Sequence, residues 1–563
     1  MRISIANISG RPNKLFLIVL AILLLSLSSG LWIARVENAL MWIMGILVVL
    51  IFAGILLAKN KMGDTGANHS KYISLRQNIS ITILFFGIGC TVLLGWLVLQ
   101  RKPLPIMGMG TSALVTVLFS LISIGLVWLI LDLSLLSFPI MFMGITFLYT
   151  TASLILYQID GFGAFRYWSF VNIEGTMKAM PIVMLAFSSF MVGSFLSAIT
   201  YTKNSSERVG RSVPTHTDKL RKLGIFANFT SIIVIIFFGI RSGSFDLLIS
   251  GGYRAFGDAR MLNQIPRLVI ASLNWFLPWS VLILIATSKN RRMYVRTLLL
   301  SIPACGIMLL TGDRSTLLTV ILLIATASYF VDVSIDWRRP VIAVALVALL
   351  IPTVVNLRDV PIKEWSGELL IKAATNQVEK GRYSGVSPIF AILGDMSTSY
   401  QTLVGTILLT PNSDSYWYGL SYLRSLVLAI PFANPIFSYL NIDLAANSPS
   451  YWVQTSLEKK PILSGWGYLQ VAEAYLQFGA LGVIALYAIL GVILTRMWWR
   501  LLSENLNSQK IAFSLIIMMT LLIWIRNNSG EVIRGILWGW ILVYVLPILL
   551  VRFVDKKLTR DKS

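Results

Sequence analysis

"LLTGDRSTLLT" (residues 309–319) sets Asp313 beside Arg314 between two apolar runs, 297–312 and 315–332. Each flank is apolar for most of the roughly 30 Å width of a bilayer's hydrocarbon, and comparable runs recur along nearly the whole chain. The 563 residues are 56% hydrophobic and 13% charged, with a mean hydropathy of +0.76. Soluble domains carry roughly 25% charged residues, so that class is excluded. The pattern is that of an all-α, polytopic transmembrane protein. On this reading "TGDRS" is the outer tip of a tight helical hairpin, with Gly312 making the turn and Arg314 emerging at the interface. Two readings of Arg314 stand open: a side chain snorkelling to headgroups, or part of an anion site that binds phosphate in bidentate fashion.

Fourteen spans fit best: 15–33, 38–58, 79–99, 111–131, 135–157, 181–201, 223–240, 267–287, 297–312, 315–332, 340–356, 474–495, 511–526 and 535–551. The first follows Arg2, Arg11 and Lys14 and resembles a signal peptide. No convincing small-residue cleavage site follows it and another span does, so it is read as a retained helix. The formal net charge of +22 does not indicate nucleic acid, because the basic residues are scattered in short tracts between spans. With both termini cytoplasmic, inner segments hold 27 Lys and Arg, short outer loops 12, and one long outer segment the other 8. That bias fixes the expected orientation. Cys90 and Cys305 fall inside predicted spans, far apart, and imply neither a disulfide framework nor a zinc site.

Four regions follow. Residues 1–220 hold spans 1–6, and 221–356 hold spans 7–11 with outer arginine loops. Residues 357–473 form a large extracytoplasmic loop, and 474–563 hold spans 12–14. Within the loop, Ile362, Trp365, Leu369 and Ala373 recur at helical spacing beside Lys363, Glu364, Glu368 and Lys372, which predicts a helix lying on the membrane surface. "PIFAILGDMSTSYQTLVGTILL" (388–409) is a second surface helix or a re-entrant one. "TPNSDSYWYGL" through "AANSPSYW" reads as ordered loop. Outward arginines gather from several segments: Arg241, Arg254 and Arg260 in "RSGSFDLLISGGYRAFGDAR", then Arg358, Arg382, Arg424, Arg526 and Arg534. Each alone suits a headgroup contact; as a set they outline an outward pocket for an anionic, lipid-borne group.

"SGWGYLQVAEAYLQFGALGVIALYAILG" places Glu473 at the mouth of a span, followed by an aromatic and a glycine-rich helix. Together with "DSYWYGLSYLRSLVLAIPFANPIF" upstream and "GDRS" before that, it resembles the O-antigen polysaccharide polymerase (Wzy) family over roughly residues 220–545. Ala-Glu-Ala-Tyr is the most specific block. Gln477 stands where that family usually has Asn. The resemblance implies an integral-membrane glycosyltransferase of the GT-C type, branch B, in a bacterial plasma membrane with its active site on the outer face. It implies transfer of a growing O-antigen, capsule or exopolysaccharide glycan from undecaprenyl pyrophosphate to the sugar of a new lipid-linked repeat unit. Neither metal nor other cofactor is implied. A flippase and a chain-length co-polymerase are the expected partners.

Pyrophosphate is a good leaving group, so such an enzyme must chiefly stabilise charge developing on the phosphates. Arg314 is the first candidate, with Arg254, Arg424 and Arg526 for a second clamp. The acceptor hydroxyl must give up a proton to a carboxylate. Glu473, where partial desolvation raises the expected pKa, and Asp395 have the best settings. Asp313, Asp258 and Asp443 follow. Glu473 is also read as a structural partner of an arginine or a helix cap. Trp417, Tyr418, Tyr422 and Tyr475 are candidate sugar-stacking rings, with Tyr416, Tyr451 and Trp452 on the same side; an interfacial aromatic belt accounts for some of them.

Two alternatives differ in what they require. An O-antigen ligase uses an outward histidine, whereas His69 and His216 fall in inner loops. A lipid-linked oligosaccharide flippase needs charge at mid-membrane depth, whereas the predicted spans are nearly free of it. No Asp-x-Asp occurs for a metal-dependent transferase of the related branch.

Overall fold

The two runs flanking residues 311–314 form neighbouring helices, Arg291–Leu310 and Arg314–Ala327, that pack on one another. The computed structural model describes residues 69–100, 108–161, 163, 168, 171–200, 217–261, 264–311, 314–330, 353, 356–357, 360–375, 388–430, 448–458, 467–503 and 507–549. Among them every regular element is helical. In chain order they are α1 (His69–Leu99), α2 (Met109–Ile130), α3 (Phe138–Asp160), α4 (Ile173–Thr200), α5 (Thr217–Arg241) and α6 (Ser244–Met261). Then come α7 (Arg267–Ala286), α8 (Arg291–Leu310), α9 (Arg314–Ala327) and α10 (Gly367–Ala374). The long loop supplies α11 (Pro388–Ser397), α12 (Tyr400–Leu409), α13 (Leu420–Ala429) and α14 (Pro449–Glu458). The chain continues with α15 (Gln470–Ser503), α16 (Ser508–Trp524) and α17 (Gly530–Leu549).

Nine of the described helices are long and apolar enough to cross a membrane. Predicted spans 15–33 and 38–58 lie outside the described residues, as does 340–356 but for residues 353 and 356. Of the other eleven, nine coincide with these helices, and 315–332 and 511–526 correspond to shorter apolar helices, Ser315–Ala327 and Ser508–Trp524. Residues 76–563 form one compact unit. Its axis is the pair α4 and α15. At their crossing the backbones nearly touch: a Cβ on Gly193 would lie 2.0 Å from Ala488 O, and one on Gly491 2.3 Å from Phe190 O. Small residues at the crossing are what permit such close packing between membrane helices.

Three buried hydroxyls of α2 are satisfied locally. On α2, Thr116, Ser120 and Ser123 donate to the carbonyls of Ser112, Thr116 and Phe119 at 2.8, 2.8 and 2.9 Å, so a polar stripe adds no unsatisfied group to an apolar interior.

Contacts between helix ends match the predicted alternation of the chain. Arg496 donates to Thr200 Oγ1 at 2.8 Å, Lys289 pairs with Asp218 at 2.9 Å, and Thr326 donates to Leu136 O at 3.3 Å. All join segments expected on one side. On the other side Trp275 Nε1 donates to Glu531 Oε2 at 3.1 Å and Ser421 reaches Glu473 at 2.7 Å.

The long loop departs from expectation in two places. The amphipathic helix expected over 362–373 is split: Ile362–Glu364 is a 3₁₀ turn, Trp365 is extended, and Ser366 caps α10 by accepting from Leu369 N at 3.1 Å. Trp365, Leu369 and Ala373 still share one cluster with Leu357 and Val360. The stretch 388–409 forms two helices packed into the bundle, α11 on α3 and α12 against α4 and α15. Tyr400 through Ile407 are all buried. Tyr400 Oη donates to Thr176 O at 3.4 Å, Leu469 N to Thr402 Oγ1 at 3.2 Å, and the Thr406 and Tyr468 hydroxyls share a 2.9 Å bond.

Candidate active site

The helix α15 is broken one residue after Gln477. Phe478 (φ −142°, ψ 21°) and Gly479 (φ 60°, ψ −142°) leave the helical region, so Gln470–Gln477 is a short half-helix. The break frees carbonyls that hydrocarbon cannot satisfy. The loop 416–419 supplies their donors: Trp417 N to Leu476 O and Tyr418 N to Gln477 O, each at 3.0 Å. Gly419 N adds a bond to Gln477 Oε1 at 2.9 Å. Gly479 is required twice over, by its positive φ and because a Cβ there would meet Tyr416 Oη at 2.9 Å. Thus "SYWYG" and "AEAYLQFG" are two halves of one joint.

Within the half-helix Ala472, Glu473, Ala474 and Tyr475 are all buried, and Glu473 is 0% exposed. Its Oε1 accepts from Ser421 Oγ and Ser529 Oγ, both at 2.7 Å, and its Oε2 from Trp524 Nε1 and Ser529 N, both at 2.9 Å. Four donors on two oxygens fill the usual acceptor positions of a carboxylate. Of these donors, Ser529 lies just before α17, so Glu473 caps that helix's N-terminus while tying α13 and α16 to it. Ser425 Oγ extends the network to Ser529 Oγ at 2.9 Å. The Tyr422 and Tyr468 phenols lie close enough to feel this carboxylate. Burial first, and Glu473 among the further causes, pushes both above the ordinary tyrosine range.

The same 524–529 turn carries Arg526. Its Nη1 lies 3.7 Å from Asp395 Oδ2 at the end of α11, and its Cζ lies 5.5 Å from the Tyr149 ring. Gly467 lets the guanidinium stem lie on bare backbone, where a Cβ would come 2.5 Å from Arg526 Nε. Neither member is fully sealed, the side chains being 25% (Arg526) and 11% (Asp395) exposed. Tyr149 stands eleven residues before the end of α3, about 16 Å along the helix. The ion pair is therefore recessed well below the helix end.

Aromatic rings line the joint. Tyr416 meets Tyr418 and Tyr475 edge-on at 6.3 and 6.0 Å, and Tyr418 meets Phe478 at 6.4 Å. Trp417 packs on Trp452 at 5.4 Å, and Trp452 Nε1 donates to Asp414 Oδ2 at 3.1 Å. Tyr418 is held at φ 46° while 69% exposed, a left-handed conformation that costs energy for a non-glycine residue. Tyr475, by contrast, is buried. Arg424, half-buried, sits one turn beyond Ser421 on α13.

The structure thus gathers Glu473, Tyr422, Tyr475, Trp417 and Tyr418 around one joint and seats Arg526, on the turn that Glu473 holds, against Asp395. Asp313 lies outside the described residues, as do the side chains of Arg314 and Arg254; their backbones open α9 and follow the Gly252 kink of α6. Ser421, Trp524, Ser529, Gln477 and Tyr149 complete the site and were not anticipated. Their signal is faint in sequence: isolated small polar residues and one tryptophan at the ends of apolar runs. Among the described residues no three His, Cys, Asp or Glu side chains are gathered as a metal centre requires.

A family model, O-antigen polysaccharide polymerase Wzy, matches residues 77–557. No curated protein and no solved structure matches the chain.

Proposed function

The chain belongs to the O-antigen polysaccharide polymerase Wzy family, and on that premise we propose that it polymerises undecaprenyl-pyrophosphate-linked repeat units. In this reading it is a GT-C-like enzyme of fourteen spans in a bacterial plasma membrane, with cytoplasmic termini and an outward active site. It works beside a flippase and a chain-length co-polymerase. The growing glycan moves from its lipid pyrophosphate to a hydroxyl of the incoming unit, with inversion and without a metal.

The observation that carries the reading is the recessed Asp395–Arg526 pair on the turn that Glu473 holds. A guanidinium held by Asp395 and Tyr149 in a partly dry recess stabilises charge on a departing pyrophosphate more strongly than one in water. Arg526 takes that role here, with Arg424, Arg314 and Arg254 completing the phosphate contacts. Asp395, its side chain 11% exposed, accepts the proton of the attacking hydroxyl. The C–O bond to the new sugar forms as the C–O bond to pyrophosphate breaks. Asp313 stands by as the alternative acceptor. Glu473 fixes the turn that carries Arg526. Trp417, Tyr418 and Tyr422 meet the sugars, and Tyr475 braces the Tyr416 ring from below.

Purified protein given undecaprenyl pyrophosphate-linked repeat units tests this directly. A ladder of glycan products is expected, undiminished by EDTA and lost in Asp395→Asn, Arg526→Ala and Arg314→Ala. Lipid movement without new glycosidic bonds, or a ladder abolished by chelator, overturns it.

A further inference from the structure

A second polar feature lies at the far end of α15, separated from Glu473 by 27 residues, up to about 40 Å of helix. Here α15, α16 and α17 leave between them an open groove of about 740 Å³. Its lining is graded. Arg500 and Lys510 stand at the rim, in the last turn of α15 and the first turn of α16, and both are exposed. Deeper in come Arg496, then Val492 and Ile493, one and two turns further along α15, facing Phe513 and Ile517 of α16.

The spacing makes this one surface. Val492, Arg496 and Arg500 recur every four residues on one row of α15, and Lys510, Phe513 and Ile517 form the corresponding row on α16. From rim to floor the groove runs about 12 Å. Arg496 is already oriented: one of its five donors is bonded to Thr200 Oγ1 at 2.8 Å. An apolar slot opening sideways from a bundle in a membrane is filled by hydrocarbon rather than by water. The three cations at its mouth then select the headgroup of that lipid.

We infer that this groove is a binding site for an anionic phospholipid, its phosphate held by Arg496, Arg500 and Lys510 and one acyl chain lying along Val492, Ile493 and Ile517. A basic pocket between membrane helices at their polar ends suits such a ligand. The lipid occupies the leaflet opposite the polymerisation site, and its binding does not depend on the reaction proposed there.

The test uses the full chain in nanodiscs, with brominated phosphatidylglycerol or phosphatidylcholine as quencher, and reads the quenching that Phe513→Trp adds to that of the 17 native tryptophans. Strong additional quenching by the anionic lipid over the zwitterionic one is expected. Each basic residue near a membrane surface is worth about fivefold in affinity, so Arg500→Gln/Lys510→Gln should weaken phosphatidylglycerol about 30-fold. The same double substitution should leave phosphatidylcholine unchanged. Lys363→Gln, an exposed change of equal sign on α10's side of the chain, should have no effect. Ser514→Phe, which fills the slot without altering charge or adding an indole, should abolish the preference by itself and keeps the test decisive if the double variant fails to fold. Equal quenching by both lipids, or an undiminished preference in both altered proteins, overturns the inference. Displacement by millimolar inorganic phosphate overturns it also, since a free-phosphate site needs no acyl slot.

Discussion

Replacing Glu473 by glutamine separates two roles that a buried carboxylate beside an active site can hold. The side chain accepts four hydrogen bonds, two from serine hydroxyls on Oε1 and two from fixed N–H groups on Oε2. A glutamine can turn its oxygen toward Trp524 Nε1 and Ser529 N and its amide toward the serines. Hydroxyls accept as well as donate, and Ser529 can redirect its proton to Ser425. All four contacts thus survive, but each loses its charge assistance, worth about 1 kcal/mol per bond. Part of that loss is offset, because burying an amide costs less than burying a carboxylate. The net destabilisation works out at about 2 kcal/mol. Glu473→Ala strands four buried donors at about 1–3 kcal/mol each, a sum comparable with the whole stability of many proteins.

If Glu473 positions the 524–529 turn, Glu473→Gln keeps product formation within about tenfold of the native rate, with an unchanged pH profile and a lowered thermal midpoint. A general base removed by the same change costs about 10²–10⁴-fold in rate. The assay is single-turnover extension of a lipid-linked repeat unit between pH 5 and 9, alongside thermal unfolding in detergent. A Glu473→Gln protein as stable as the native one, yet a thousandfold slower and without its acidic limb, would falsify the positioning role. The proton would then have to be assigned to Glu473 rather than Asp395.

Other consequences are open to simpler checks. Arg526→Lys keeps the charge but gives up the planar contact over Tyr149 and the two-pronged hold on phosphate; KM for the donor lipid should rise about tenfold or more, read from initial rates. Gly479→Ala combines left-handed strain of about 1 kcal/mol with a clash at Tyr416 Oη, so unfolding should come several degrees earlier, and adding Tyr416→Phe should recover part but not all of the loss. Burial raises Tyr400, Tyr422 and Tyr468 above their ordinary value of 10.0. Above pH 10 the unfolded chain releases their protons while the native one keeps them, so stability is constant below pH 10 and falls beyond it, by up to about 4 kcal/mol per pH unit for the three together. Thermal midpoints between pH 9 and 11 check the sign.

The spans were legible because hydrocarbon permits few alternatives: a segment such as 138–160 must be continuously apolar and internally hydrogen-bonded to cross it. The break in α15 was not. "LQFGALG" satisfies the same apolar rule whether the helix continues or stops, and only the donors of residues 417–419, far away in the chain, make stopping affordable. The stretch 388–409 was ambiguous for a related reason. Its hydrophobicity suits a surface, a re-entrant path or a buried pair alike, and the choice is made by partners such as Thr176 and Tyr468. The depth of Glu473 at the mouth of a span was readable, but none of its four donors was, since they lie 51 to 56 residues distant. The outward arginines were visible as a set. That Arg526 is the one seated against Asp395 depends on a contact between residues in different regions of the chain.

Two carboxylates beside one joint have been given opposite settings, and the difference follows from where their oxygens point. Glu473 is surrounded by donors on every side, so its charge is bound to the frame and serves to hold a turn. Asp395 has Arg526 Nη1 at 3.7 Å, too long for a tight pair, and its side chain is 11% exposed. On the proposed mechanism, a phosphate entering the recess would compete for Arg526 and loosen its hold on Asp395. The carboxylate would then turn from the arginine to the acceptor hydroxyl as that hydroxyl loses its proton. Donor binding would thereby prepare the base, a coupling that needs the arginine and the aspartate to be neighbours.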